Sequence, residues 1–150
     1  MAVEVLGIDH VYVTVGDLAA AEAFYDRVLV GVLGYRKASA PIGGDPHRHY
    51  FNRHFGFSIR PARTAAAHDP YAPGLHHFCF RVANEAAVDE AARGLQTAGV
   101  DATAPRYYPE YDRDYYATFF TAPDGVRLEI TNFRASRQRR MTDWDAFRSA

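Results

Sequence analysis

The sequence has little cysteine and no long apolar run, and each scarcity excludes a class of protein. A single cysteine, Cys79, rules out an internal disulfide framework and a zinc site built from several cysteines. No run of about 18 apolar residues is present, so we expect no membrane span. The N-terminus lacks the basic start and apolar stretch of a secretory signal, and we therefore expect a cytoplasmic protein.

Net charge is also nearly absent, because 17 Lys and Arg balance 18 Asp and Glu to give −1. Lys37 is the only lysine among those basic residues. This balance does not indicate nucleic acid as a partner. With 150 residues, of which 48% are hydrophobic, the chain is long enough for one globular domain with a real core. Histidine, tyrosine and phenylalanine are abundant instead.

An internal repeat organises the chain. IDHVYVTVGDL matches LHHFCFRVANE at an offset of 67 residues, which pairs His10 with His77. Each copy alternates like a strand and ends at Asp17 or Asn84, residue types that cap helices well. Each half has room for three further strands, so it follows the order β-α-β-β-β. The sequence predicts one α+β domain over 1–133, with modules of about 5–61 and 73–133, and a tail over 134–150 with a short helix.

Glycine and proline mark the expected boundaries inside each module. The first helix should end near Gly31 or Gly34 and the second at Gly99. PIGGDP and AAAHDPYAPG indicate a long loop and the joint between the modules. Matching Gly56 with Gly125 aligns the last strands of the two modules at an offset of 69. The remaining strands are expected near 35–39, 50–53, 101–104 and 116–121.

Strand parity places the polar residues, because side chains alternate across a strand. His10, His77 and Glu129 all fall on the face of one sheet that the helices leave open, and His76 must point away from His77. Two imidazoles and a carboxylate with open positions suit Fe(II) or Mn(II), and also Zn(II). The competing interpretation is a pair of hydrogen-bonded structural histidines; their equivalence in the repeat favours the metal.

Three segments, DHVYVTVGDLAAAEAFYDRVL, GLHHFCFRV and FFTAPDGVRLEI, resemble the vicinal oxygen chelate superfamily over roughly residues 7–133. That superfamily includes glyoxalases, fosfomycin-resistance enzymes, bleomycin-binding proteins and extradiol dioxygenases. The resemblance implies two βαβββ modules forming a cupped mixed sheet around a divalent metal, with helices outside and His10, His77 and Glu129 as ligands. The fourth glyoxalase ligand would fall at Arg60, which cannot bind a cation. Glyoxalase I chemistry is therefore disfavoured. Bleomycin-binding proteins lack the metal triad, so that binding role is disfavoured as well.

AHDPYAPGLHHFCF resembles the extradiol dioxygenases in particular. A His-Asp pair precedes a similar segment there, which implies His68 as an acid/base. The catalytic tyrosine of that family would fall at Phe119 in this sequence. Tyr115 or Tyr116 must then take over the catalytic role, or that role is absent. The small single-domain form and the segment RYYPEYDRDYY resemble L-DOPA 2,3-dioxygenases of natural-product pathways.

The expected function is therefore cleavage of a catechol ring with O₂ by a non-haem Fe(II) enzyme, with Mn(II) or Zn(II) as alternative metals. We expect a homodimer or larger homo-oligomer and no nucleic-acid or membrane partner. Arg60 or Arg127 would hold a substrate carboxylate by a two-point hydrogen bond. The full set of residues expected to contact substrate is Arg60, Arg127, Phe119, Tyr12 and His49.

Two other functions and several local alternatives stay open. The protein could be a metal-dependent lyase, isomerase or thiol transferase of the fosfomycin-resistance type, or a non-catalytic binder of an aromatic compound. His47 and His49 belong to a polar loop or to a cavity wall or proton relay. The tyrosines of 107–116 form a packed lid or the wall of an aromatic site. In the tail, Thr142 would cap a short helix carrying Trp144 and Phe147.

Overall fold

A computed structural model describes residues 2–146 and divides them into two compact units. The first unit extends to Asp69 and includes Ala122–Gly125, and the second comprises Pro70–Thr121 and the chain from Val126 onward. Each unit contains one four-stranded mixed sheet, and each follows the order strand, helix and three strands. The predicted α+β fold of two similar βαβββ modules is confirmed.

The first unit is a sheet in the order β1-β4-β3-β2, with β1 parallel to β4 and the other pairs antiparallel. Asp17 caps α1 as predicted, because its carboxylate accepts a hydrogen bond from the Ala20 N–H at 3.0 Å. The helix continues without a break into a π-helical segment that carries Val28 and Leu29 into the core. The elements are β1 (His10–Val15), α1 (Leu18–Tyr25), the π-helical segment (Asp26–Val32), β2 (Arg36–Ile42), β3 (Asp45–Phe51) and β4 (Gly56–Pro61).

The second unit repeats this plan in the order β5-β8-β7-β6. Asn84 caps α2 through a 3.0 Å bond from the Ala87 N–H, again as predicted. Within residues 2–146 no helix combines the length and the apolar character needed to cross a bilayer. The elements are β5 (His77–Val82), α2 (Glu85–Thr97), β6 (Arg106–Tyr107), β7 (Tyr116–Thr121), β8 (Arg127–Asn132), α3 (Ala135–Thr142) and a 3₁₀ turn (Trp144–Ala146).

The only lysine of the sequence joins helix and sheet in the first unit. Lys37 on β2 lies 2.5 Å from Glu22 of α1 and 2.8 Å from Asp26. Arg48 on β3 pairs with Glu22, and the Tyr50 hydroxyl donates to Asp26 at 2.8 Å. The Lys37 ammonium holds the pKa of Glu22 below its usual range. This network joins α1 to β2 and β3 on one face of the sheet. The side chains on the other face take no part in it.

The segment PIGGDP is a tight hairpin and not the long loop expected from its composition. Ile42 pairs with Asp45, and only Gly43 and Gly44 lie between them, with φ of 59° and 87°. Two positive-φ residues make the two-residue turn that matches the twist of paired strands. As a result β3 begins at Asp45, before the expected 50–53, and the PHRHY segment with its two histidines is part of a strand rather than a loop.

Two further expectations need correction. The strand expected at 101–104 is reduced to a single bridge between Ala102 and Phe120, and β6 follows it. In the tail, the arginine-rich segment itself forms α3, so Thr142 ends a helix instead of capping the next one. Trp144 is 66% exposed, and Phe147 lies outside the described residues.

Replacing the cap residue tests whether the local signal at Asp17 stabilises the fold. We expect Asp17→Ala to lower the free energy of unfolding by about 1 kcal/mol, because the first-turn N–H groups lose their acceptor. Asp17→Asn keeps a side-chain oxygen in place and should stay close to the wild type. Urea titration followed by circular dichroism measures both variants, and equal losses in the two would contradict a capping role.

Candidate metal and substrate site

The parallel pairing of β5 with β8 brings the key polar residues of the second unit together. In this register His77 lies opposite Arg127, and Cys79 lies opposite Glu129. All four side chains point away from α2, while Leu128 and Ile130 face the core. His77 Nε2 lies 3.5 Å from Glu129 Oε2, so the parity predicted for these two residues is confirmed.

Glu129 is a buried carboxylate with a hydroxyl partner. It is only 2% exposed, and the Tyr115 hydroxyl donates to its Oε1 at 2.5 Å. Burial raises the pKa of Tyr115 above its usual range, and the bond to Glu129 adds to the rise. Burial also raises the pKa of the Cys79 thiol, whose sulfur lies 4.0 Å from the same hydroxyl. The carboxylate therefore offers one oxygen to Tyr115 and the other towards His77.

The structure separates the two tyrosines that the sequence left as alternatives. Tyr115 reaches Glu129, whereas the Tyr116 hydroxyl donates to Asp89 on α2 at 2.8 Å. Phe119 lies opposite Glu129 in the β7–β8 ladder and carries no hydroxyl.

A cavity of about 660 Å³ opens beside the His77–Glu129 pair, entirely within the second unit. This volume lies in the range of about 300–1,000 Å³ typical of small-molecule sites. Its wall is largely aromatic but includes two histidines, a carboxylate and a guanidinium. The lining residues are His76, His77, Thr103, Tyr108, Tyr111, Tyr115, Phe119, Phe120, Thr121, Arg127, Leu128 and Glu129.

Tyrosines of the 107–116 segment form one side of this cavity. The rings of Tyr108 and Tyr111 stack at 5.6 Å with planes 9° apart, and Tyr111 meets Tyr115 edge-on at 5.4 Å. Tyr108 also contacts the ring of Phe119 at 5.2 Å, and Arg106 lies over it at 3.9 Å. These contacts hold the rings together as a packed aromatic wall next to the carboxylate.

The C-terminal segment holds that aromatic surface in place. The amide of buried Asn132 accepts from the Tyr116 N–H and donates to the Asp114 carbonyl. Asp112 accepts from the Ser136 hydroxyl and from Arg134. The Ser136 hydroxyl and the Arg134 guanidinium hold the pKa of Asp112 below its usual range. The tail is thus a structural part of the site and not a free charged end.

His76 lines the same cavity, although strand parity predicted that it points away from His77. The two Nδ1 atoms lie 2.8 Å apart, and the ring centroids are separated by 5.0 Å. The prediction is wrong because β5 begins at His77, so the alternation of side chains does not extend to its neighbour. Two consecutive histidines are a weak sequence signal for a shared position at the cavity, and strand parity alone predicts the wrong side for His76.

Arg127 lies at the cavity wall, and an aromatic hydroxyl holds its guanidinium. Its Nη1 donates to the Tyr71 hydroxyl at 3.1 Å, and its charge lies 5.1 Å from the Tyr71 ring. Within residues 2–146 it forms no ion pair, so donors remain for an anionic ligand.

In the first unit, the face of the sheet away from α1 also carries polar side chains. The Tyr12 hydroxyl lies 3.3 Å from His47 Nδ1 and 3.5 Å from His49 Nδ1, and His49 is bonded to Ser58 at 3.0 Å. Burial, together with the charge of His47, lowers the pKa of His49. His47 is 3% exposed, and its Nε2 makes no hydrogen bond among the described residues.

His10 begins β1 on that face, and the preceding residue orients it. Its Nδ1 donates to the Asp9 carboxylate at 2.7 Å, which leaves Nε2 as the nitrogen with a lone pair. The expectation that His10 shares one sheet with His77 and Glu129 is wrong. Each module completes its own four-stranded ladder, and β1 belongs to the first.

The register also corrects the position of the fourth glyoxalase ligand. His10 pairs with Gly56 and Tyr12 with Ser58, as His77 pairs with Arg127 and Cys79 with Glu129. Ser58 is therefore the equivalent of Glu129. Arg60 is two residues further on, because Gly56 lies inside its strand while Gly125 lies in the turn before β8.

The two remaining candidates belong to the first unit. Arg60 is ion-paired with Asp45, which also binds Arg63, so its charge is already engaged. His68 lies between β4 and β5 in a segment without regular structure. Its Nε2 is buried and makes no hydrogen bond within residues 2–146, which leaves that nitrogen available to a ligand or a water.

The donors present suit a divalent metal in type, but only two of them are seen together. Imidazole nitrogen and carboxylate oxygen are common ligands of Fe, Mn and Zn. The His77–Glu129 pair supplies one imidazole nitrogen and one carboxylate oxygen. The Asp9 carboxylate fixes His10 in the tautomer that is protonated on Nδ1 and has a lone pair on Nε2. Among the side chains of residues 2–146, no group of three or more His, Cys, Asp or Glu is arranged to hold a metal ion.

The fold is shared with several solved structures. The chain is similar to a glyoxylase/bleomycin resistance protein/dioxygenase domain from Frankia sp. EAN1pec, with 21% identity, TM-score 0.71, and coverage of 87% of this chain and 100% of that one. A glyoxalase family protein from Enterococcus faecalis shows 25% identity, TM-score 0.64 and coverage of 84% and 97%. Lactoylglutathione lyase from Agrobacterium tumefaciens shows 21% identity, TM-score 0.62 and coverage of 85% and 93%.

No curated protein matches the sequence significantly. A family match, in contrast, extends over residues 7–130 and so includes nearly all of both modules and every residue that lines the cavity. On the strength of that match, the chain belongs to the Glyoxalase/Bleomycin resistance protein/Dioxygenase superfamily.

Proposed function

We propose that this protein is an Fe(II)-dependent extradiol dioxygenase that opens the ring of a small catechol carrying a carboxylate, of which L-DOPA is one example. The observation that carries the proposal is the cavity of the second unit, where the His77–Glu129 pair shares a wall with stacked tyrosines and with Arg127. An aromatic wall, metal donors and an anion-binding group are the three features that such a substrate requires.

His77 and Glu129 would hold the metal together with His10, with Mn(II) or Zn(II) as alternative ions. The bound metal would supply the site at which both catechol oxygens and O₂ are brought together, so that both atoms of O₂ enter the ring-opened product. Glu129 is suited to this role because burial excludes water from it and Tyr115 fixes its orientation. Asp9 would keep His10 Nε2 unprotonated.

The protein's own groups would position the substrate and move its protons. The ring of the catechol would lie against Tyr111 and Phe119, and its carboxylate would accept two hydrogen bonds from Arg127. Tyr12 and His49 remain proposed substrate contacts from the first unit. His68 would act as the acid/base, since its Nε2 is unpartnered among the described residues and imidazole exchanges protons near neutral pH.

Reconstitution with metal tests the reaction directly. We expect the protein loaded with Fe(II) under nitrogen to turn L-DOPA or a related catechol into a yellow ring-opened product, with uptake of O₂, once air is admitted. Absorption spectroscopy and an oxygen electrode follow the two changes. Absence of both across a panel of catechols would refute the proposal.

Ligand variants test the metal assignment separately. We expect His10→Ala, His77→Ala and Glu129→Ala each to lose stoichiometric Fe(II), because each removes one of three donors. His54→Ala removes an exposed imidazole in the turn before β4 and is the matched control. Metal content is measured after gel filtration, and stoichiometric metal in any of the three would remove that residue from the ligand set.

Tyr115 and Tyr116 form a second matched pair. We expect Tyr115→Phe to weaken metal binding or turnover by about 10- to 100-fold, because Glu129 loses the hydroxyl that orients it. Tyr116→Phe loses only a bond to Asp89 on α2 and should change either quantity little. The reverse ranking of the two variants would show that Tyr116 serves the site.

The two candidate arginines predict different kinetics. We expect Arg127→Leu to raise KM by about 10- to 100-fold for a catechol bearing a carboxylate, because a charged hydrogen-bond pair is lost. The KM of unsubstituted catechol should be unchanged. Arg53→Leu, an exposed arginine elsewhere, controls for charge. A carboxylate-specific defect in Arg60→Leu instead would assign the anchor to Arg60, despite its ion pair with Asp45.

A further inference from the structure

The contact between His76 and His77 requires a shared proton. Their Nδ1 atoms lie 2.8 Å apart, a hydrogen-bonding separation, so one ring must donate and the other must accept. His77 presents its other nitrogen, Nε2, to the carboxylate of Glu129. The direction of the bond between the two imidazoles therefore decides which nitrogen of His77 carries a lone pair into the cavity.

The internal repeat indicates that direction. His10 and His77 occupy equivalent positions, and each has its Nδ1 bonded to the side chain of the residue just before it. In the first unit that partner is the Asp9 carboxylate, which can only accept, so His10 is protonated on Nδ1. By the same geometry, His76 takes in the second unit the place that Asp9 takes in the first.

We infer that His76 is the positioning residue of His77: it accepts the Nδ1 proton and so directs an unprotonated Nε2 towards the metal. Histidine ligands commonly donate their second nitrogen to a carboxylate, a carbonyl or water, which fixes the ring and its tautomer. Here an imidazole serves as the acceptor. The inference rests on the proposed role of His77 as a metal ligand.

Packing explains why His76 can hold this orientation although it lies outside the strand. The edge of its ring meets Tyr71 at 5.6 Å, and the Tyr71 hydroxyl accepts from Arg127 at 3.1 Å. Arg127 in turn lies opposite His77 in the β5–β8 ladder. The contacts therefore link His76, through Tyr71, to the residue that pairs with His77.

Nitrogen NMR of the Zn(II)-bound protein tests the direction of this bond without any reaction. In the wild type we expect Zn(II) on Nε2 of His77 and a hydrogen-bonded proton on its Nδ1. His76→Asn places an amide oxygen where Nδ1 lies and should preserve that hydrogen bond, whereas His76→Leu removes the acceptor and should abolish it. Coordination of Zn(II) through Nδ1 of His77, or an Nδ1 proton without a hydrogen bond to His76 in the wild type, would overturn the inference.

Titration with Zn(II), a diamagnetic probe, tests the consequence for binding. We expect His76→Leu to bind Zn(II) about 10- to 100-fold more weakly than the wild type, and His76→Asn to recover most of that loss. Equal affinity in all three would overturn the role of His76 and leave the metal site intact. Failure of the wild type itself to bind Zn(II), Mn(II) or Fe(II) would overturn the proposed function and this inference with it.

Discussion

A buried carboxylate is the constraint on which the second unit depends. Glu129 lies at 2% exposure in the middle of β8, and a charge taken out of water is costly unless hydrogen bonds compensate it. The Tyr115 hydroxyl binds one oxygen and the His77 ring faces the other. The loop that carries Tyr115 must therefore be held firmly, and Asn132 with the first turn of α3 provides that support. The same requirement fixes the orientation of the Glu129 carboxylate at the cavity wall.

The repeat reuses one backbone plan with different chemistry in its two copies. Both first strands begin with a histidine whose Nδ1 is bonded to its preceding neighbour, an aspartate in one copy and a histidine in the other. At the next equivalent position the copies diverge, because Ser58 stands where the second unit has Glu129. A carboxylate is therefore present on only one of the two last strands. This asymmetry distinguishes the chain from proteins whose metal site takes one carboxylate or imidazole ligand from each of four strands.

Local patterns predicted those features that depend only on neighbouring residues. Alternation in β1, β5 and β8 gave the correct faces, and Asp17 and Asn84 cap their helices as expected. The misses have physical causes. Consecutive glycines at Gly43 and Gly44 suggested a loop by composition, yet positive φ at both allows a two-residue hairpin. The offset between Gly56 and Gly125 misaligned the last strands of the two modules with each other by two residues, because one glycine is in a strand and the other in a turn.

The sequence by itself determined the two βαβββ modules and the inward and outward faces of their strands, because these follow from periodicity and residue chemistry. Only the tertiary structure decided which tyrosine bonds to Glu129, that His76 joins His77 at the cavity, and that Asp45 neutralises Arg60 while Arg127 stays free of an acidic partner within residues 2–146. These outcomes depend on strand register and on contacts between residues far apart in the chain, which no local pattern encodes.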